Sequence, residues 1–322
     1  MKLGIIGCGI MGERILRVAR DTPALGVTVS GVSDPSADRR SELGAEFPDL
    51  PITPTVEDLI AEAECIYIAS PPATHLAHAR QAIAAGRAVF TEKPLAVSVQ
   101  DAEAFAALVE AEGARAAVNF IFASSPAVHQ LHRWIGDGTV GQAQSVEILT
   151  AFAAWPRPWQ MDASGWLSGP AEGGFTREVV SHFLFLTRRT FGPLALLSSS
   201  ARYPVSGKAE TGIQAQIMAG DLPVSIQGTV GETDLPDHNI WQLNGTSGSI
   251  RLRDWSFAER LNERTGEWEG APDAASHEEM RPLILQGQIG KLNALVAGDE
   301  NDLATVQEAL DVQRVVEAML QS

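Results

Sequence analysis

The clearest candidate for proton chemistry in this sequence is Lys93, which stands between Glu92 and Pro94 after the apolar run 87–91. That run predicts a buried strand, so the lysine is expected at the carboxyl end of a strand. Burial at such a place lowers the pKa of an ammonium group, which suits a side chain that exchanges a proton with a hydroxyl or a carbonyl. Glu92 can hold the lysine in place. The alternative is a surface Glu–Lys pair that precedes a helix.

A second pair of residues suited to acid/base chemistry is Glu178 and His182. They are four residues apart and follow the glycine turn at Gly173 and Gly174. On a helix this spacing puts both side chains on one face. A carboxylate there orients an imidazole and raises its basicity, which is the arrangement of an acid/base pair. The alternative is an amphipathic helix in which His182 packs beneath a sheet.

Dinucleotide binding is indicated by Gly7, Gly9 and Gly12, which have the spacing G-x-G-x-x-G. An apolar run precedes them and a helical pattern follows, which predicts a strand, a tight turn and a helix. The first glycine permits the turn, the second lets the backbone approach a pyrophosphate, and the third lets the helix pack on the strand. The pyrophosphate is expected on the free N–H groups of the helix N-terminus, at Ile10 and Met11.

The choice between the two nicotinamide cofactors depends on Asp34, which ends the second apolar run. It lies about 20 residues beyond the glycines, where such units place a carboxylate on the adenosine ribose. An aspartate there accepts hydrogen bonds from the ribose hydroxyls and repels a 2′-phosphate, so NAD is preferred over NADP. Arg39 and Arg40 keep NADP open, because an arginine can swing toward a phosphate. Residues 34–36 alternatively form only a turn and a helix cap.

A further apolar run, 64–69, ends at two prolines, which stop the strand where open α/β sheets bind their ligands. The remaining candidate cofactor-binding residues are Ser70, Pro71, His75, Glu92 and Lys93. For His75 two interpretations stay open, a contact with the nicotinamide end of the cofactor or a capping and packing role on its own helix.

Together these motifs resemble those of the glucose–fructose oxidoreductase / inositol dehydrogenase (Gfo/Idh/MocA) family, and the Glu-Lys-Pro triplet is the most specific of them. The resemblance covers most of the chain. It implies hydride transfer between NAD(P) and a secondary alcohol or ketone, usually of a sugar, a polyol or a related small molecule. It also implies that Lys93 and His182 share the acid/base work, with Glu178 orienting the histidine.

The chain departs from the family pattern around its expected substrate pocket. Asn119 is followed by the apolar residues 120–122, where relatives often carry a basic residue or a tyrosine. Glu178 replaces the commoner aspartate, Val180 replaces a glycine, and Phe185 stands where a second acid often follows. These changes predict a pocket less hydrophilic than a hexose site. Two alternatives therefore stay open, a non-catalytic nucleotide-binding sensor or regulator and an NAD(P)-dependent reductase of a non-sugar C=N or tetrapyrrole substrate.

The loop 155–166 carries three tryptophans, with Arg157 and Asp162 as polar neighbours. Indole rings can stack on the faces of sugars, or they can anchor a loop over a sheet, and an aromatic cluster alone does not decide between these roles. The candidate substrate-binding residues are Asn119, Trp155, Trp159, Trp166 and Arg177.

A length of 322 residues exceeds the usual size of a single core, so two domains are expected. Residues 1–120 form an α/β Rossmann domain, and 121–322 form an α+β domain whose alternating apolar runs predict a largely antiparallel, open-faced sheet. The C-terminal helices, 280–297 and 303–320, are expected to pack back on the first domain, and 267–279 is the most linker-like stretch. In relatives this sheet also forms a subunit interface, so a homodimer or homotetramer is expected.

Composition argues against several classes of partner. The net charge of −16 opposes binding to nucleic acid or to an anionic membrane. No run of about 18 apolar residues predicts a membrane span, and the N-terminus enters a strand directly. Cys8 and Cys65 provide neither a disulfide framework nor a metal-binding spacing. Buried thiols, no metal and a cytoplasmic location are therefore expected.

Overall fold

The computed structural model describes residues 1–321, apart from the side chain of Asp162. Over this part the chain forms two compact units. The first consists of Met1–Ile121 and Leu285–Leu310, and the second consists of Phe122–Ile284 and the chain from Asp311 onward. Residues 285–310 belong to the first unit, whereas the predicted boundary at residue 120 assigns them to the second domain.

The elements have the following bounds. The strands are β1 Lys2–Ile6, β2 Thr28–Ser33, β3 Cys65–Ile68, β4 Ala88–Thr91, β5 Ala116–Val118, β6 Ala143–Phe152, β7 Leu194–Arg202, β8 Gly212–Ala219, β9 Leu222–Val230, β10 His238–Gly245, β11 Ser249–Arg253, β12 Phe257–Asn262, β13 Glu267–Gly270 and β14 Ala304–Thr305. The α-helices are α1 Ile10–Asp21, α2 Ala37–Glu46, α3 Val56–Glu62, α4 Pro72–Ala84, α5 Val99–Glu112, α6 Pro126–Gly136, α7 Ser164–Leu167, α8 Ser181–Phe191, α9 His277–Ala297 and α10 Val306–Leu320. A π-helical turn, Thr176–Val180, leads directly into α8.

The described residues of the first unit form a six-stranded sheet in the order β14-β5-β4-β3-β1-β2. Strands β1 to β5 run parallel, and β14 pairs antiparallel with β5. All four side chains of β3 and all four of β4 are buried. This is why these strands are continuous apolar runs in the sequence, since a parallel sheet is covered on both faces.

The strand order reverses beside β1, which has β2 on one side and β3 on the other. In open parallel sheets the ligand crevice lies outside the carboxyl ends of the strands at such a point. The residues that follow these strand ends are Gly7, Asp34, Ser70, Glu92 and Asn119. The fold therefore places the sequence motifs of the first unit along one edge of one sheet.

The second unit contains an eight-stranded sheet, within the described residues, in the order β13-β12-β11-β10-β6-β9-β8-β7. Its pairs are antiparallel except for β6 with β9. Burial alternates along β8, β10 and β11, so one face is packed and the other is open. The indole of Trp241 in β10 donates to Thr187 of α8 at 2.9 Å, which ties the packed face to the helix that carries His182.

The predicted fold class is confirmed by these two sheets, but one local prediction was wrong. The stretch 267–279 is not a linker, because β13 pairs with β12 and α9 begins at His277. The glutamates of this stretch make it look polar in the sequence, although it forms a short edge strand. In that strand the ring of Trp268 is half-buried beneath the guanidinium of Arg251. Helix α4 begins at Pro72, because proline is favoured at the first helical position.

Cys8 and Cys65 are buried free thiols, as predicted. Burial raises the pKa of Cys65 to about 12, so this thiol stays protonated. Among the described helices, none combines the length and the apolar character needed to cross a membrane.

Candidate cofactor and catalytic sites

The turn between β1 and α1 has the geometry that a bound pyrophosphate requires. Gly7 has a φ of +85°, which side chains other than glycine rarely adopt. A Cβ on Gly12 would lie 1.9 Å from the carbonyl oxygen of Gly7, so only glycine lets the helix pack there. A Cβ on Gly9 would have nothing within 4 Å, which leaves its backbone open to a ligand. Helix α1 follows with Ile10 and Met11, whose N–H groups have no acceptor within the helix.

Asp34 faces this turn and also stabilises the turn that leads into α2, whose N-cap is Ser36. Its Oδ2 accepts from the backbone N–H of Cys8 at 2.7 Å, and its Oδ1 accepts from the N–H of Ser36 at 2.9 Å. A carboxylate has about four lone-pair positions, so acceptor capacity remains for ribose hydroxyls. The two interpretations of Asp34 from the sequence are thus compatible with each other.

His75 holds two loops of the first unit together. The imidazole is 1% exposed, with Nε2 2.7 Å from the carbonyl oxygen of Ser70 and Nδ1 2.9 Å from that of Pro94. Burial lowers the pKa of His75 below its ordinary value, and Lys93 adds to this effect, although the two carbonyls oppose it. The predicted contact with the nicotinamide is therefore corrected to the packing alternative, because both ring nitrogens already face backbone oxygens.

Glu92 and Lys93 follow β4 and are both half-buried. The carboxylate Oε1 of Glu92 accepts hydrogen bonds from the hydroxyl of Tyr67 and from Nδ2 of Asn119, the latter at 2.7 Å. Asn119 is 1% exposed and donates inward to Glu92, so its predicted role in binding substrate is corrected to a supporting one. These bonds from two neighbouring strands fix the backbone from which Lys93 projects.

Glu178 and His182 lie on consecutive elements, the π-helical turn and α8. The turn is held by Glu210, which is 1% exposed and accepts from the N–H of Thr176 at 2.8 Å. A Cβ on Gly174 would meet the carboxylate of Glu210 at 2.3 Å, so this close approach requires glycine. The glycine turn seen in the sequence thus positions the segment that carries the candidate acid/base pair.

The imidazole of His182 is 6% exposed and packs among aromatic rings. Its centroid lies 5.9 Å from that of Phe122 and 5.6 Å from that of Trp255, both in edge-to-face geometry. Trp255 has a φ of +73°, and its indole N–H points at the carboxylate of Asp237 at 3.3 Å. A bulky residue in the left-handed region is strained, and such strain is maintained where neighbours over-determine the conformation. These rings give His182 an apolar wall.

The three tryptophans of the loop 155–166 have different surroundings. Trp155 is half-buried, donates its indole N–H to the carbonyl of Leu167 at 3.2 Å and packs on Phe152, so it anchors the loop, and its contact with substrate stays a prediction. Trp159 is 46% exposed and stacks on the guanidinium of Arg157. Trp166 is half-buried. The exposed indole of Trp159 is the member of this group that a ligand can reach most easily.

Arg177 does not present its charge to a substrate, which corrects the prediction from the sequence. It is 6% exposed, and its Nε and Nη2 donate to both carboxylate oxygens of Glu317 at 2.6 and 2.7 Å. Its Nη1 donates to the carbonyls of Pro170 and Gly173 at 2.9 and 2.7 Å. The guanidinium therefore ties the glycine turn to α10.

The sequence did not indicate a role at the candidate sites for Tyr67, Glu210 or Trp255. Tyr67 lies in an apolar strand. Its phenol could have indicated a polar contact there, because a buried tyrosine hydroxyl needs a hydrogen-bond partner. Nothing in the sequence around Glu210 or Trp255 indicates such a contact, since both are far in sequence from the candidate pair near which they pack.

The glycine turn and the acid after β2 meet at the switch point of a parallel sheet, which defines the first unit as a dinucleotide-binding domain. Residues 1–120 match the Gfo/Idh/MocA model, described as an oxidoreductase family with an NAD-binding Rossmann fold. Over these residues the chain is similar to this family, in agreement with the resemblance that the sequence motifs indicated. NAD is the cofactor of such a domain, and the open backbone at Gly9 fits its pyrophosphate.

Curated relatives and solved structures extend this match. Inositol 2-dehydrogenase 3 from Saccharopolyspora erythraea is 25% identical over 297 residues, which cover 83% of this chain and 84% of that protein. Inositol 2-dehydrogenase 2 from the same organism is 32% identical over 162 residues, 48% of this chain and 47% of that protein. The chain therefore matches less than half the length of this second relative.

The fold is shared with an oxidoreductase from Agrobacterium radiobacter, solved in complex with NAD+, L-tartaric acid and magnesium. The TM-score is 0.83 at 17% identity, and the alignment covers 100% of this chain and 96% of that one. At this identity the likeness concerns the fold alone.

Proposed function

We propose that this chain is an NAD-dependent dehydrogenase that transfers hydride between the nicotinamide and a secondary alcohol or ketone of a sugar, polyol or related small molecule. The observation that carries the proposal is the position of Lys93, which follows β4 at the edge of the sheet that also holds the glycine turn. The two relatives named as inositol 2-dehydrogenases support the substrate class.

NAD, when bound, supplies the hydride acceptor for oxidation of the substrate. In the proposed mechanism the Nζ of Lys93 takes the proton of the substrate hydroxyl, and in the reverse direction it returns the proton to the carbonyl oxygen. His182 is the second acid/base group, and Glu178 orients it. Trp159 and Trp166 remain candidates for contact with the substrate.

A screen of NAD+ reduction over sugars, inositols, sugar acids and other polyols tests this proposal, with ketones and NADH for the reverse direction. We expect turnover of at least one compound with a secondary hydroxyl, and a slower reaction with NADP+. Binding of NAD+ without turnover across the whole panel would instead favour a sensor.

A second candidate substrate class is a ketone or C=N compound with few hydroxyl groups. The aromatic wall of Phe122 and Trp255 around His182 favours it, because apolar rings satisfy no hydroxyl groups. In the same screen this candidate predicts NADH oxidation by such compounds and none by hexose derivatives.

The expected oligomer is part of this proposal. On the open face of the second sheet, Gln214, Gln216 and Gln227 are exposed, and Ser198 and Ser200 are exposed beside them. We propose that a second copy of the chain packs on this face, as the resemblance implies. Light scattering coupled to size-exclusion chromatography tests it, and a strictly monomeric protein would contradict it.

A further inference from the structure

Arg39 lies at the expected adenosine end of the cofactor site, but its guanidinium group is bound by two acidic side chains. Its Nη2 forms an ion pair with Glu13 of α1, and its Nη1 donates to Glu42 of α2 at 3.0 Å. Its Nε donates to the carbonyl oxygen of Cys8 at 2.7 Å. These three bonds hold the guanidinium group between the glycine turn, α1 and α2.

The same peptide segment also meets Asp34. The N–H of Cys8 donates to Asp34, while the carbonyl of Cys8 accepts from Arg39. Arg39 is therefore close to the residue expected to meet the adenosine ribose. An arginine near this acid is the side chain that accommodates the 2′-phosphate of NADP in Rossmann domains. The chain thus contains the cation that NADP needs, held by carboxylates.

Neighbouring arginines keep Glu13 ionised. Burial alone would raise the pKa of Glu13, but Arg17 and Arg39 together lower it below its ordinary value. Glu13 is also bound by Arg17, whose Nε donates to it at 2.8 Å, and Arg17 in turn pairs with Glu46. The carboxylate of Glu13 therefore stands fixed between two arginines.

We propose that Glu13, assisted by Glu42, is a specificity-determining residue for the cofactor, because it engages the guanidinium that would otherwise bind a 2′-phosphate. The preference for NAD then has two causes. Asp34 repels the 2′-phosphate of NADP, and Glu13 keeps Arg39 from binding that phosphate. Both acids are partly exposed, with side-chain exposures of 28% for Glu13 and 65% for Glu42. Partly exposed ion pairs are weak, so after loss of Glu13 the remaining bonds to Glu42 and to the carbonyl of Cys8 leave Nη2 of Arg39 available to a phosphate.

The test is a titration of NADPH and NADH into Glu13→Gln, followed by nicotinamide fluorescence. Because a freed guanidinium makes charge-assisted bonds to phosphate, we expect NADPH to bind roughly three- to tenfold more tightly than to the unaltered protein. NADH affinity should stay within about twofold, since its ribose hydroxyls meet Asp34. The double variant Glu13→Gln/Arg39→Gln should lose the gain.

Glu46→Gln is the matched control, because it removes the same charge from the same cluster without touching Arg39. An equal gain in NADPH affinity in this control would show a general electrostatic effect and overturn the inference. So would an unchanged NADPH affinity in Glu13→Gln, or a gain that survives the loss of Arg39. The inference rests on the proposed function only through dinucleotide binding, so failure of the substrate screen with normal NADH binding leaves this comparison intact. Absence of binding by both dinucleotides would contradict the proposed function and this inference together.

Discussion

At the scale of single residues, the first unit is organised around the carboxylate of Glu92. Tyr67 and Asn119 both donate to it from adjacent strands. Burial, reinforced by Glu92, raises the pKa of Tyr67 well above its ordinary value, so the phenol remains a donor at every physiological pH. A hydrogen bond to an ionised acceptor is stronger than one between neutral groups. The residue before Lys93 is therefore fixed by charge-assisted bonds.

His75 provides a prediction about pH and stability. Its pKa is lowered in the folded protein from an ordinary value of 6.5, chiefly by burial. The unfolded chain therefore binds the proton more readily, so the contribution to stability is present above 6.5 and is lost as the pH falls toward the lowered folded-state pKa. We expect the melting temperature of the unaltered protein to fall more steeply between pH 7 and 5 than that of His75→Gln.

Thermal melts at closely spaced pH values measure this difference. His78→Gln, one turn further along α4, is the control, because it leaves the bonds to Ser70 and Pro94 in place. Parallel slopes for the unaltered protein and His75→Gln would show that this imidazole does not titrate with folding.

For His182 a catalytic role and a packing role lead to different results. If the residue is catalytic, His182→Asn should keep its melting temperature and lose turnover together with one limb of the pH profile. If it only packs, the variant should lose about 1–3 kcal/mol of stability through a poorly satisfied polar group and keep its turnover. We expect the first result, with a smaller loss of turnover for Glu178→Gln. A destabilised but fully active His182→Asn would remove the residue from the mechanism.

At the scale of elements, the π-helical turn before α8 depends on contacts from distant parts of the second unit. Glu210 holds the N–H of Thr176, and the Arg177–Glu317 pair joins the turn to α10. The first contact is buried and the second is largely shielded from solvent, with side-chain exposures of 7% and 12%, so polar groups with little access to water position the segment that carries Glu178 and His182. Such pairs matter most when one partner is removed, because the other remains charged and buried.

Arg177→Met should accordingly destabilise the protein by about 3 kcal/mol, because Glu317 is left without its counter-ion. The double variant Arg177→Met/Glu317→Leu should recover most of this loss, since it removes both charges together. Chemical denaturation of the three proteins measures the free energies of unfolding. A substrate Michaelis constant that rises sharply in the stable double variant would contradict the structural role assigned to Arg177.

The elements differ in how far the sequence predicts them. The glycine turn and the acid at Asp34 were predictable, because their spacing follows from local geometry of strand, turn and helix. The edge strand β13 was not predictable, since its glutamates follow no apolar alternation and it is stabilised by pairing with β12. The contacts of Asn119 and Arg177 are made with Glu92 and Glu317, which lie 27 and 140 residues away in the sequence, so residue type alone did not predict them.

At the scale of the whole molecule, the chain forms two units and enters each of them twice. The first unit contains the glycine turn and Lys93, and the second contains His182 and the open sheet. The chain returns to the first unit within α9 and leaves it again within α10. Each unit is thus completed by distant segments of sequence, which explains why a simple division near residue 120 describes it incompletely.

The central claim, hydride transfer to NAD with Lys93 as acid/base group, is tested most directly with a substrate from the screen that is deuterated at its carbinol carbon. We predict that deuterium appears at C4 of the reduced nicotinamide. Lys93→Ala should slow this transfer roughly 10²–10⁴-fold while binding NAD+ normally. Lys291→Ala, which removes the same charge elsewhere in the first unit, should transfer at the rate of the unaltered protein. Bound NAD+ that gains no deuterium from any substrate, or a Lys93→Ala variant that transfers it at full rate, would contradict the account.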